Sequence, residues 1–174
     1  MRRDYNGPSP EAGGYQLREL EEITEYNIHH SGSDAYFNDQ TWEQTLDAFA
    51  RHQVGTNGWP AIAYAFIVRP DQEEIAWVGE LSTIRYHAGG ARHPRYNVGV
   101  NNVNGLAICI AGNYMGKNPD APTLARVSRL INWLETILPP ASRRIIGHQD
   151  VSATACPGDG WQEWRLSLPS CLED

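Results

Sequence analysis

The sequence predicts one α/β domain, a central mixed β-sheet flanked by helices. Three observations point there. At 174 residues the chain has the length of one ordinary domain, long enough to bury a core without staples. Short apolar runs with strand character alternate with two segments of helical periodicity. One of those runs, Gly105 to Ala111, is apolar almost throughout, as expected of a strand covered on both faces.

Residues 1–22 mix proline, glycine and charge without periodicity and read as a flexible lead-in, which leaves 23–174 as the domain. Ile23 to His30 carries Tyr26 and Ile28 on alternate positions and ends in Ser31-Gly32-Ser33-Asp34, a strand followed by a loop. Thr41 to Gln44 has the form of a capping box, and Trp42, Leu46, Phe49 and Ala50 then repeat at helical spacing to about His52. Ala61–Val68 and Glu74–Val78, broken by Arg69-Pro70-Asp71-Gln72, predict a hairpin with Tyr64 inside its first strand. Gly105 to Ala111 ends in Gly112-Asn113 and places Cys109 in the core. A helix from Thr123, behind Pro122, puts Leu124, Val127, Ile131, Leu134 and Leu138 on one face and Arg126, Arg129 and Glu135 on the other, and stops at Pro139-Pro140. Arg144 to Gly147 is a short strand that delivers His148 into a loop reaching Gly158.

The net charge of −7 and a sequence pI near 5.3 withhold the basic footprint of a nucleic-acid binder. No apolar stretch approaches the roughly 20 residues that cross a bilayer, so membrane insertion is not expected. The pair Arg2-Arg3 is followed by no apolar segment of a secretory signal, which predicts synthesis in the cytoplasm, with any export by another route. Three cysteines, Cys109, Cys156 and Cys171, are too few and too scattered for a disulfide framework.

Zinc favours imidazole nitrogen and thiolate sulfur, and a hydrolytic zinc site keeps a fourth position for water. His29 and His148 each leave a predicted strand, and Cys156 follows His148 by eight residues, enough chain for a loop to fold back. The structural zinc pattern Cys-x-x-Cys is missing, which favours an open site over a closed one if a metal is held. The plainer readings are a hydrogen-bonded histidine pair and a cysteine packed as a small apolar side chain. A thiol hydrolase with Cys156 as nucleophile and His148 as base would draw on the same residues.

Five segments carry a family resemblance: Ile28-His29-His30-Ser31, Tyr64-Ala-Phe66, His87-Ala-Gly-Gly90, the run from Gly105 to Asn113, and the run from Ile145 through His148, Thr154 and Cys156 to Gly158. In that order, over roughly residues 23–165, the chain resembles zinc N-acetylmuramoyl-L-alanine amidases of the peptidoglycan recognition protein and phage lysozyme-amidase type. The resemblance implies that fold and one zinc ion, held by His29, His148, Cys156 and a water molecule. It implies Tyr64 and Thr154 as catalytic groups, Tyr64 facing that water and Thr154 standing where some amidases carry lysine. The residue after Tyr64 is Ala65, where histidine is more usual.

The implied reaction is hydrolysis of the amide between N-acetylmuramic acid and L-alanine in peptidoglycan by a monomeric, wall-lytic enzyme of phage endolysin type, reaching the wall after release. The alternative within the family is a non-catalytic peptidoglycan-binding protein, although the intact ligand trio favours catalysis. Substrate contacts are assigned to His30, His87, Trp59 and Asn113, with Trp77 as a further groove candidate; core packing competes for both tryptophans, and His30 has the alternative of supporting the metal site. His87 is either a proton donor to the leaving amine or a loop histidine that packs. Asp150 either orients an imidazole or caps its loop, the cap being preferred. His52 and His93 are given no role.

Overall fold

The computed structural model describes residues 16–36 and 39–169. Along the chain come β1 (Glu25–His30), α1 (Trp42–Ala50), β2 (Phe66–Val68), β3 (Ile75–Trp77), α2 (Val100–Asn104), β4 (Gly105–Ile110), α3 (Ala121–Ile137), β5 (Arg144–Gly147) and α4 (Trp161–Trp164). The sheet has the order β3-β2-β4-β1-β5; only β2 and β3 pair antiparallel, so it is mixed, as the sequence predicts.

Alternation of side chains along each strand divides the core into two layers. Tyr26, Ile28, Phe66, Val68, Leu106, Ile108 and Ile110 pack with Leu124, Val127, Ile131 and Leu134 of α3. Ile67, Cys109 and Ala76 turn the other way, onto Trp42, Leu46 and Phe49 of α1. All six residues of β4 are buried, which explains its lack of polar alternation. Of the central strands, β1 places His29 opposite Cys109 in register, on the α1 side, at its carboxyl end.

The helix signals act as physical chemistry requires. Thr41 Oγ1 accepts from Gln44 N at 3.2 Å while Gln44 Oε1 accepts from Thr41 N at 2.8 Å, the reciprocal box that satisfies two orphan donors. The chain then continues beyond α1 as a π-helical stretch, Arg51–Thr56. Asp120 caps α3 through Thr123 N at 2.9 Å, with Pro122 in the first turn.

Three expectations are corrected. Arg126 belongs to the interior rather than to the polar face of α3. Its guanidinium donates to the carbonyls of Arg69 and Pro70 at 3.2 and 2.9 Å, satisfying the β2–β3 turn from beneath. Tyr64 lies two residues ahead of β2, because regular pairing of that strand begins only at Phe66. Of the lead-in, residues 1–15 lie outside the described residues, while 16–22 are packed: Arg18 N donates to Ser82 O at 2.8 Å, Leu17 bridges Thr83, and the Arg18 side chain is buried. Cys171 also lies outside the described residues. No helix among them is long and apolar enough to cross a membrane.

Candidate metal centre and active site

Parallel pairing brings together two histidines that are far apart in sequence. β1 and β5 align Ile28 opposite Gly147, so His29 and His148 stand side by side at the carboxyl edge of the sheet, where open α/β sheets bind ligands. Their ring centroids are 4.5 Å apart. A β carbon at Gly147 would sit 2.7 Å from the Trp161 ring, so glycine lets β5 end against that buried indole.

The loop after His148 folds back through bonds of its own. Gln149 N donates to Cys156 O at 2.7 Å, Cys156 N to Thr154 Oγ1 at 3.2 Å, and Gly158 N to Ala155 O at 2.7 Å. Asp150 ties the loop to α4, accepting from Gly147 N and Trp161 Nε1 at 2.8 Å and from Gln162 Nε2 at 3.0 Å, so its carboxylate serves as the cap. Cys156 Sγ consequently lies 3.7 Å from His29 Nδ1 and accepts from His30 N at 3.3 Å. One donor atom from each of His29, His148 and Cys156 lies within 4.8 Å of the others, a trio that could hold a metal ion.

A pocket of about 200 Å³ opens over the trio, and the Tyr64, His30, His87 and Trp59 side chains line it as well. Tyr64 packs against His29 at 5.3 Å and edge-on to Phe49 at 5.8 Å. His30 Nδ1 accepts from Tyr114 N at 3.3 Å. Two sequence candidates stand elsewhere. Thr154 is exposed and spends its hydroxyl on the Cys156 amide, while Asn113 closes a turn, its Oδ1 accepting from Met115 N at 3.1 Å. Trp77 is wedged between Phe66 and Trp133 with its indole N–H on Gly79 O, which makes it a core residue. His93 stacks on Tyr96 at 4.9 Å, and His52 is exposed on the π-helical stretch.

Sequence reasoning missed Arg18 and Gly105, which stand behind His87. Arg18 lies in the segment read as a lead-in, and Gly105 looked like a strand start; the nearest signal was the break in helical pattern at Asn104-Gly105. Cys109 also stands next to the site, opposite His29 in the sheet. Burial pushes its thiol well above the ordinary range, the Cys156 sulfur adds to this, and a hydrogen bond with the Tyr64 hydroxyl partly offsets it.

Burial keeps the histidines neutral. His29 is held well below 6.5 by burial first and then by His87, His148 and His30; burial lowers His30 and His148 as well. Burial, aided by the Arg18 charge, pulls His87 down to about 3. Unfolded imidazoles titrate near 6.5, so below that pH the unfolded chain binds more protons and folding stability falls with acidification. For His87 the window runs from about 6.5 to about 3. Chelator-treated protein should therefore lose about 1.4 kcal/mol per pH unit below pH 6 from His87 alone. Urea midpoints between pH 7 and 5 measure this, and a flat profile would contradict buried neutral imidazoles.

Three metal-competent donors beside a pocket, at the carboxyl edge of an α/β sheet, define a candidate hydrolytic metal centre. The chain matches the family model described as N-acetylmuramoyl-L-alanine amidase over residues 20–159, and it belongs to that family. Comparison with curated protein sequences gives no match. Among solved structures, the drosophila peptidoglycan recognition protein SD is similar with a TM-score of 0.75 at 19% identity, over 99% of this chain and 92% of that one. Peptidoglycan recognition protein LE, solved with tracheal cytotoxin, has a TM-score of 0.71 at 21% identity, over 90% of this chain and 84% of its own. The Clostridium intestinale endolysin amidase LysCS has a TM-score of 0.61 at 19% identity, over 90% and 91% of the two chains. At these identities the structures establish the fold.

Proposed function

We propose that this chain hydrolyses the amide bond between the lactyl group of N-acetylmuramic acid and L-alanine in peptidoglycan, with one zinc ion. The observation that carries this reading is the convergence of His29, His148 and Cys156 in the lining of one pocket. The donor set fits zinc, which favours imidazole nitrogen and thiolate sulfur: Cys156 Sγ is 3.7 Å from His29 Nδ1, and the three donors lie within 4.8 Å of one another. Bound there, zinc supplies Lewis acidity and brings the pKa of a water molecule toward about 7.

The chain's own residues do the remaining work. Tyr64 lines the pocket beside His29, and its O–H would turn from Cys109 to the oxygen that gains charge as the carbonyl is attacked. His30, whose Nδ1 is occupied by the Tyr114 amide, carries its proton on Nε2 and offers it to the substrate. Trp59 gives a sugar or peptide an apolar face. Thr154 acts through the loop by fixing the Cys156 amide. His87 has both ring nitrogens engaged, which leaves Tyr64 as the better candidate to pass a proton toward the leaving amine. The family match supports a peptidoglycan amidase; that the enzyme works as a monomer, is made in the cytoplasm and reaches the wall after release is part of the same proposal.

Mass spectrometry of peptidoglycan digested with zinc-loaded protein tests the reading. The expected products are stem peptides with new L-alanine amino termini and glycan strands with free lactyl carboxyls. A chelator should stop their release, and added zinc should restore it. Wall binding without release would assign a recognition protein instead. Chelator-resistant release that thiol alkylation abolishes would assign Cys156 as a nucleophile.

A further inference from the structure

We propose that His87 is a positioning residue that dictates which nitrogen of His29 faces the metal, an inference that rests on the metal site proposed above. The carbonyl of Gly105 can only accept a hydrogen bond, and His87 Nε2 lies 3.2 Å from it, so that nitrogen carries the proton. The neutral ring then has a bare Nδ1, and this lies 3.1 Å from His29 Nε2. His29 must therefore donate from Nε2. Its own bare nitrogen is Nδ1, the atom that faces Cys156 Sγ at 3.7 Å. One carbonyl thus selects, through two imidazoles, the lone pair a metal ligand needs. The reverse tautomers would set the His87 Nε2 lone pair against the Gly105 oxygen inside the protein, and would turn a proton on His29 toward Cys156.

The surroundings hold this relay in place. Asn102 Oδ1 accepts from His87 N and Ala88 N at 2.9 and 2.8 Å, fixing the backbone that carries the ring. A β carbon at Gly105 would sit 2.9 Å from His87 Cε1, so only glycine admits the ring at that distance from its own carbonyl. The His29 and His87 rings meet edge to face at 86°. Arg18 Nη1 donates to the same Gly105 oxygen at 2.9 Å, so the buried Arg18 side chain closes the outer end of the relay.

Long-range proton–nitrogen NMR of the chelator-treated wild-type protein reads the tautomers directly. His87 and His29 are both expected to be protonated on Nε2, and finding His87 protonated on Nδ1 overturns the proposal. Zinc affinity, measured by chelator competition, supplies the second arm. His87→Leu should weaken zinc 10–100-fold, the range typical for partners of metal ligands. His87→Gln, whose amide can donate to Gly105 and accept from His29, should recover most of that loss. Unchanged affinity in His87→Leu, or equal loss in both variants, also overturns the relay. If circular dichroism shows His87→Leu unfolded, the wild-type tautomers and the Gln variant decide. A wild-type protein that shows the expected tautomers but binds no zinc would sink the metal reading and leave the relay standing.

Discussion

Cys156→Ser is expected to weaken zinc more than 100-fold and to leave no measurable turnover, while the fold survives. Residues that merely support a ligand contribute 10–100-fold to metal affinity, so the ligand itself should exceed that range. A serine hydroxyl keeps its proton near neutral pH and lacks the soft sulfur that zinc favours. Packing changes little, since oxygen replaces sulfur in a spot defined by the His30 amide and the loop bonds around Thr154. Without a metal, burial pushes the Cys156 thiol up to about 12, although the His30 N–H eases it down. A thiol held there is a poor free nucleophile at pH 7, whereas a metal ion displaces the proton on binding. Cys156→Asp separates the two chemistries, because a carboxylate can ligate zinc but cannot replace an attacking thiolate. Measurable zinc and residual activity in Cys156→Asp fit a ligand. Zinc affinity within tenfold of wild type in Cys156→Ser would remove Cys156 from the ligand set.

The part of this molecule that was legible in sequence is the part that chain-local chemistry decides. β4 announces itself because burial on both faces removes polar alternation, and the capping box at Thr41 is complete within four residues. His29 and His148 could be paired because each ends a strand, and a parallel sheet lines up strand ends. What stayed hidden depends on partners distant in sequence. Arg18 and Arg126 look like surface cations until the carbonyls they satisfy, those of Gly105 and of Arg69, are folded against them. Asn113 sits beside Gly112 at a strand exit, and that pairing signals a turn more strongly than a ligand contact. The two readings of His87 could be separated only by the engagement of both its ring nitrogens.

Tyr64→Phe should retain fold and zinc affinity yet lower kcat by about 100- to 1000-fold, the effect of deleting one oxyanion donor. The ring contacts with His29 at 5.3 Å and Phe49 at 5.8 Å involve carbon faces and edges that phenylalanine keeps. The hydroxyl's resting partner is the Cys109 thiol, a weak acceptor, so removing that bond should alter stability by no more than about 1 kcal/mol. A group that bonds only the charge of the transition state lowers kcat and kcat/KM together and leaves KM in place. Steady-state kinetics on a soluble muropeptide therefore distinguish the roles open to Tyr64. A rise in KM at constant kcat would make the hydroxyl a ground-state contact, and unchanged constants would reduce Tyr64 to a packing residue. A loss confined to kcat, with the variant still binding zinc as wild type does, places the hydroxyl at the oxygen where charge develops.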